Sequence, residues 1–347
     1  MHLHHPLKTR YLSVALCTGD AVRVPVWILD SGVPGPALLL VAAQHGNEVQ
    51  GSEVIRRFIE KAAKRSLRGK ILAVPFANPT ALRQRRPHLN MGPEQPYADD
   101  RGHNMNLTWP GNPKGNDTAR VTYAIDQAFG EEATHVFDLH CWSVQMAPMV
   151  LIDDEPEYRD LARKLGHRFV HVRSLGTVTL AGVLHHRGKI GITYEHAGQY
   201  EVNELEVLRC LRLVTNYAKA IGLLRGRLEP GDEPVLFSDE TDAVTVKSPT
   251  SGLFVPAGCR LCDAVMKGYR LGHVLSDVNL RTTEVASPVR GYLRQYGAFR
   301  NNADVALTGR HPYVEKGDPL AIIVCPESDG FSARRGCKGG KSQTRPA

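Results

Sequence analysis

Ala37-Leu38-Leu39-Leu40-Val41-Ala42-Ala43-Gln44-His45-Gly46-Asn47-Glu48 is the stretch that decides the fold class of this 347-residue chain. Seven apolar residues in a row, stopped by polar residues around a glycine, read as a strand buried on both faces. Residues 48–64 then carry apolar side chains at helical spacing. A strand that passes directly into a helix leaves its last residues at the open carboxyl edge of a sheet, where α/β proteins build their sites. His45 sits at that edge and Glu48 follows three residues later. One imidazole nitrogen and one carboxylate can therefore face a single metal ion.

A His-x-x-Glu pair alone is a weak signal, because a surface histidine before a first-turn glutamate that suits the helix dipole has the same spacing. A second stretch strengthens it. Thr134-His135-Val136-Phe137-Asp138-Leu139-His140-Cys141-Trp142 is another short apolar strand carrying a histidine at its far end. If the two strand ends meet, His45, Glu48 and His140 supply two nitrogens and a carboxylate and leave one tetrahedral position for water. That is the ligand pattern of a catalytic zinc, with one Zn²⁺ per subunit.

Composition bounds the rest. With 42% hydrophobic and 23% charged residues the chain is ordinary globular material. No apolar run approaches the roughly 20 residues of a membrane span, and Met1-His2-Leu3-His4-His5-Pro6 lacks the layout of a signal peptide, so a cytoplasmic protein without membrane contact is expected. Seven cysteines, an odd count, fit reduced thiols better than a disulfide framework. Cys259-x-x-Cys262 has no second pair to complete a zinc cage. The net charge of +7 does not mark a nucleic-acid binder, since Arg334, Arg335, Lys338, Lys341 and Arg345 place five of those charges in an acid-free tail. That basic tail, residues 327–347, reads as disordered.

Taken in order, strands are expected at residues 22–29, 37–43 and 70–76, at a segment ending on His140, and at 149–152 and 190–195. Helices are expected at 49–64, 117–129, 155–165 and 201–224. The alternation predicts an α/β fold, a mixed sheet flanked by helices, over residues 1–228. Residues 83–113, rich in Pro, Gly, Asn and Arg, form a long loop that suits a substrate wall. After the acidic linker Glu229-Pro230-Gly231-Asp232-Glu233 the texture changes to short strands and Gly-rich turns, predicting a smaller all-β C-terminal domain over 241–326. Within it Ser251-Gly252-Leu253-Phe254-Val255-Pro256 is echoed by Ser287-Pro288-Val289-Arg290-Gly291-Tyr292-Leu293, and residues 265–272 by 314–320. This duplication is of the kind seen in biotinyl and lipoyl carrier barrels. Lys267 and Lys316 read as solvated turn residues, because neither has the flanking residues of a carrier lysine.

Together, His45-Gly46-Asn47-Glu48, Asn78-Pro79, the segment from Gly102 to Gly111, Asp138-Leu139-His140 and Thr193-Tyr194-Glu195 occur in the order of one family. The chain resembles the succinylglutamate desuccinylase/aspartoacylase family of zinc-dependent amidohydrolases, a branch of the zinc carboxypeptidase fold, over roughly residues 20–325. The resemblance implies zinc on His45, Glu48 and His140, with Glu195 beside the catalytic water as the group that moves its proton. Asp138 is expected to orient a ligand rather than to be one. An arginine after Asn-Pro, here Arg86 first and Arg85 second within a cluster that includes Arg83, is implied to hold the substrate oxygen. Asn106 is implied in substrate binding. One departure stands out: where the family has Asp-x-Asn-Arg, this chain has Asn104-Met105-Asn106-Leu107, and leucine cannot pair with a carboxylate.

The implied function is hydrolysis of the amide of an N-acyl amino acid or a related small N-acyl amine. A zinc carboxypeptidase acting on short peptides shares the metal and Glu195, but Leu107 argues against recognition of a terminal carboxylate. A non-catalytic zinc or ligand-binding protein on the same fold is the alternative from a different class. A homo-oligomer is compatible with the sequence, which does not fix the number of subunits.

Overall fold

The structure, a computed structural model, describes residues 5–89, 103–238, 243–298 and 311–325. Strands β1 (Leu7–Ala15), β2 (Ala21–Asp30) and β3 (Ala37–Ala42) are followed by helix α1 (Gln50–Ala62), β4 (Lys70–Val74) and α2 (Pro79–Gln84). A 3-10 turn at Met105–Leu107 precedes α3 (Asp117–Phe129), β5 (His135–Trp142), β6 (Met149–Ile152), α4 (Pro156–Leu165) and β7 (Phe169–Val172). The unit closes with α5 (Leu180–His186), β8 (Ile190–Ala197), α6 (Glu204–Ala220) and β9 (Val235–Phe237). These strands form one mixed nine-stranded sheet in the order β1-β2-β4-β3-β5-β8-β6-β7-β9.

The three strands at its centre, β3, β5 and β8, are parallel, so their carboxyl ends share one edge. Leu38, Leu39, Leu40 and Val41 are buried completely or nearly so, as the unbroken apolar run predicts. Each such side chain contributes roughly 1.5–3 kcal/mol relative to exposure. Along β5 the two faces differ. Phe137 meets Tyr217 of α6 with ring centroids 5.3 Å apart, and Leu139 packs against Gly51 of α1. Val136 lies instead against Gly191 of β8, under Ala181 of α5. Alternation then puts Asp138, His140 and Trp142 on this second face.

The expected α/β architecture is present, with differences that have physical causes. Strands β5 and β8 run two residues past His140 and Glu195, to Trp142 and Ala197. Their ladder continues because Cys141 pairs with His196 and Trp142 with Ala197 in register. Strand β1 gave no apolar signal because all but two of its residues are exposed at the sheet's edge. Helix α5 contains Gly182, where a Cβ would lie 2.0 Å from the Gly176 carbonyl oxygen, so close packing demands the residue that hides the helix in sequence. Strand β9 lies beyond the acidic Pro-Gly stretch and pairs with β7, so the sheet extends past residue 228. Residues 327–347 and part of the 83–113 loop, residues 90–102, lie outside the described residues.

The C-terminal unit is all β: β10 (Ala243–Lys247), β11 (Gly252–Pro256), β12 (Ala264–Val265), β13 (Arg270–Leu275), β14 (Thr282–Ala286), β15 (Gly291–Tyr296), β16 (Tyr313–Val314) and β17 (Pro319–Val324). They make two four-stranded sheets, β10-β17-β15-β12 and β14-β13-β11-β16. The orders are equivalent under exchange of the two sequence repeats: the short strand of each repeat, β12 or β16, pairs with the other repeat's β15 or β11. Lys267 and Lys316 occupy matching exposed turns before Gly268 (φ +81°) and Gly317 (φ +97°). Among the described residues, no helix is long and apolar enough to cross a membrane.

Candidate active site

His45 and Glu48 lie in the turn between β3 and α1, and His140 on β5 comes to meet them. Glu48 spans the two rings: Oε1 is 2.9 Å from His45 Nδ1 and Oε2 is 2.9 Å from His140 Nδ1. One donor atom from each of the three residues lies within 4.8 Å of the others. All three are at least nine-tenths buried. Such burial of charge is tolerated only with compensating partners.

Those partners also fix which nitrogen of each ring faces the site. His140 Nε2 is 3.1 Å from Asp138 Oδ2, and His45 Nε2 is 2.9 Å from Asn104 Oδ1. Both acceptors are oxygens, so both Nε2 atoms carry protons and both Nδ1 atoms turn their lone pairs inward when the rings are neutral. Gln44 supports this arrangement. Its Oε1 accepts from the Trp109 indole at 2.8 Å, which directs its amide nitrogen to Asp138 Oδ1 at 2.7 Å. The same nitrogen stands 3.2 Å from His140 Nε2, a contact between two donors rather than a bond. Glu48 also accepts from the Cys141 backbone N–H at 3.1 Å and from Gln199 at 3.3 Å.

Two observations test whether a metal fits. His45 Nδ1 stands 2.9 Å from Glu48 Oε1 yet is buried without a hydrogen-bonding partner. Glu195 Oε2 is likewise buried without one. Two inward imidazole lone pairs around a carboxylate, beside a second carboxyl group, form a donor set suited to a zinc-like divalent ion.

The electrostatics follow from burial and proximity. Burial alone raises the Glu48 carboxyl, but the His45 charge and the His140 hydrogen bond overcome it and hold Glu48 well below the usual carboxylate range. Burial disfavours charge on His140, yet the Asp138 charge and hydrogen bond, with Glu48, keep it protonated well above the usual imidazole range. Burial is also the largest influence on Glu195; the His140 charge opposes it, the Glu48 charge reinforces it, and the carboxyl is pushed up to about 8. Glu195 is the in-register neighbour of His140, so its side chain leaves the sheet on the same face.

The arginine cluster follows α2, which Asn78 caps by accepting from the Ala81 N–H. Gly46 lets this segment approach: a Cβ there would lie 2.2 Å from the Ala81 carbonyl carbon and 2.5 Å from the Arg86 carbonyl oxygen. Arg83 and Arg85 are exposed and Arg86 is half-buried, and among the described residues no carboxylate pairs with any of them. Asn106 donates its backbone N–H to Asn104, and its side-chain Oδ1 is buried without a hydrogen-bonding partner. Leu107 is exposed. Three residues went unassigned in the sequence: Gln44, Asn104 and His88, whose ring lies 5.3 Å from that of His45. Gln44 and Asn104 stood inside the quoted motifs; His88 gave no signal.

The profile of the succinylglutamate desuccinylase/aspartoacylase catalytic domain matches residues 34–221, more than half of the chain and every residue of the cluster above. The chain belongs to the succinylglutamate desuccinylase/aspartoacylase family. The members are hydrolases of linear amide bonds, and the chain is an enzyme of that class. It is 26% identical to the N-alpha-acetyl-L-2,4-diaminobutyric acid deacetylase of Halomonas elongata over 316 residues, covering 88% of this chain and 86% of that protein. Among solved structures it is similar in fold to an aspartoacylase family protein from Mesorhizobium loti (TM-score 0.70, 21% identity, 94% of this chain and 96% of that one). The ectoine utilization protein EutE (DoeB) from Ruegeria pomeroyi, in its product-bound structure, is similar too (TM-score 0.70, 18% identity, 94% and 97%).

Proposed function

We propose that this family member is a zinc-dependent deacylase that hydrolyses the amide of an N-acyl amino acid or a related small N-acyl amine. The observation that carries the reading is the convergence of one donor atom each from His45, Glu48 and His140 within 4.8 Å, with Glu195 beside His140 in register. His45, Glu48 and His140 would hold one Zn²⁺ per subunit. When bound, zinc supplies Lewis acidity toward a carbonyl oxygen and makes a water acidic near neutral pH.

The chain's own residues do the rest. Asp138 and Asn104 hold the two imidazoles in the tautomer that leaves Nδ1 free to donate. Glu195 takes a proton from the attacking water and delivers it to the departing nitrogen, which must leave as an amine because an amide anion is far too basic. A carboxyl raised by burial suits both directions of that transfer. Arg86, with Arg85 and Arg83 next to it, clamps the oxygen on which negative charge develops. Asn106 offers its buried Oδ1 to the substrate. Exposed Leu107 leaves any substrate carboxylate to this arginine cluster.

The curated relative directs the first substrate tests to N-acetyl diamino acids. The protein is expected to act in the cytoplasm on a small molecule, without a nucleic-acid or membrane partner; the six described cysteines are free thiols, in keeping with a reducing compartment. A panel of N-acetyl, N-formyl and N-succinyl amino acids and diamines, alongside dipeptides, tests the assignment by product identification. Release of a free amine from an acylated compound, with dipeptides left intact, is expected. Cleavage of dipeptides in preference would replace it with the peptidase reading.

A further inference from the structure

The C-terminal unit sits on the sheet face that bears the active site. In β8, Glu195 pairs with His140 of β5 on one side and with Met149 of β6 on the other, and paired residues project to the same face. Met149 and Leu151 continue into an apolar cluster with Phe169, Phe237 and two residues of the C-terminal unit, Tyr292 and Val324. The loop after β5 is stitched to β15 by backbone bonds from Ala147 N–H to Arg294 O (2.7 Å) and from Tyr296 N–H to Gln145 O (3.0 Å). At this seam the Arg294 guanidinium lies 5.1 Å from the centre of the Trp142 ring and 5.7 Å from that of Phe237, and Arg294 is buried. Trp142 stands two residues beyond His140 on the same face and pairs with Ala197, two residues beyond Glu195, so its ring lies diagonal to Glu195 across the β5–β8 ladder.

We infer that Arg294 is a positioning residue for the hydrolysis, acting from the C-terminal unit through Trp142 to hold the Glu195 carboxyl in place. The inference rests on the role given to Glu195 above. A desolvated guanidinium over an indole is attracted to its π face, and Arg294, the residue skipped at the β15–β17 register shift, is anchored by its carbonyl's bond to the Ala147 N–H. The indole is thereby held beside Glu195 on the shared face, and its N–H is the donor through which we take it to orient the carboxyl. A carboxyl that must take a proton and hand it on needs such orientation, because small misplacements cost large factors in rate.

The full chain, loaded with zinc, carries the test. Arg294→Met keeps the buried stem and removes the charge. It is expected to lower kcat about tenfold with KM unchanged within twofold, with partial recovery in Arg294→Lys. Trp142→Phe should give a similar loss, and the double variant should be no slower than Trp142→Phe alone. Phe169→Leu, which disturbs the same apolar cluster from β7, should lower the melting temperature and leave kcat unchanged. A second readout needs no substrate. The three tryptophans give three indole N–H resonances, and both Arg294→Met and Glu195→Gln should move the one that disappears in Trp142→Phe. Equal losses in Phe169→Leu and Arg294→Met, additive losses in the double variant, or an indole signal indifferent to either substitution would each overturn the inference. If no acylated compound is turned over, the deacylase reading fails on its own and the indole signal decides this one.

Discussion

Asp138 Oδ2 lies 3.1 Å from His140 Nε2, and that contact decides which nitrogen of His140 faces Glu48. The carboxylate can only accept, so the ring must present its other nitrogen to the site. Asp138→Asn removes that certainty, because the amide can donate to Nε2 and favour the wrong tautomer. The variant is expected to keep the fold and bind zinc about 10–100-fold more weakly, measured by competition with a chelator.

Glu195→Gln preserves shape and removes the proposed proton carrier. Turnover should fall by about 10²–10⁴-fold while zinc stoichiometry is retained. Loss of zinc in this variant would instead place Glu195 among the ligands.

Glu195 also makes the metal-free protein sensitive to pH. Its folded-state value is raised from 4.5 to about 8, so between these limits the native state binds more protons than the unfolded one, and stability contributed by this group is lost as pH rises. Buried His167 and His196, both lowered to about 4 by burial, act in the opposite sense below pH 6.5. The difference between wild type and Glu195→Gln isolates the carboxyl. The melting temperature of metal-free Glu195→Gln should exceed that of wild type by a margin that widens from pH 6.5 to 8.

Gly46 is required by close approach rather than by backbone angle. Gly46→Ala drives a methyl group into the Ala81 and Arg86 backbone and displaces the arginine segment from the histidine turn. A loss in kcat/KM on the order of 10²-fold is expected, with a lowered melting temperature. Unchanged kinetics would separate the arginines from the reaction.

Much of this was legible because the proposed ligands stand in, or in the turn just after, strands whose apolar runs are unmistakable. Leu38 to Val41 announced a strand buried on both faces, and His45, His140 and Glu195 followed at the carboxyl edges. What stayed hidden depends on contacts between distant segments. Asn104 reaches His45 across 59 positions, and Gln44 is locked by Trp109 across 65. No periodicity reports such pairs. The overrun of β5 to Trp142 is hidden because a polar histidine reads as a strand end, yet its ladder continues through backbone groups indifferent to side-chain polarity. The seam with Arg294 was invisible for the same reason: a lone arginine in a strand reads as surface until a second unit covers it.

Metal stoichiometry is the most direct test of the central claim. Wild-type protein equilibrated with zinc and freed of excess should retain one ion per chain by elemental analysis, and His140→Ala, treated identically, should retain none. Wild type that holds no zinc, or a His140→Ala variant that keeps its full complement, would contradict the account.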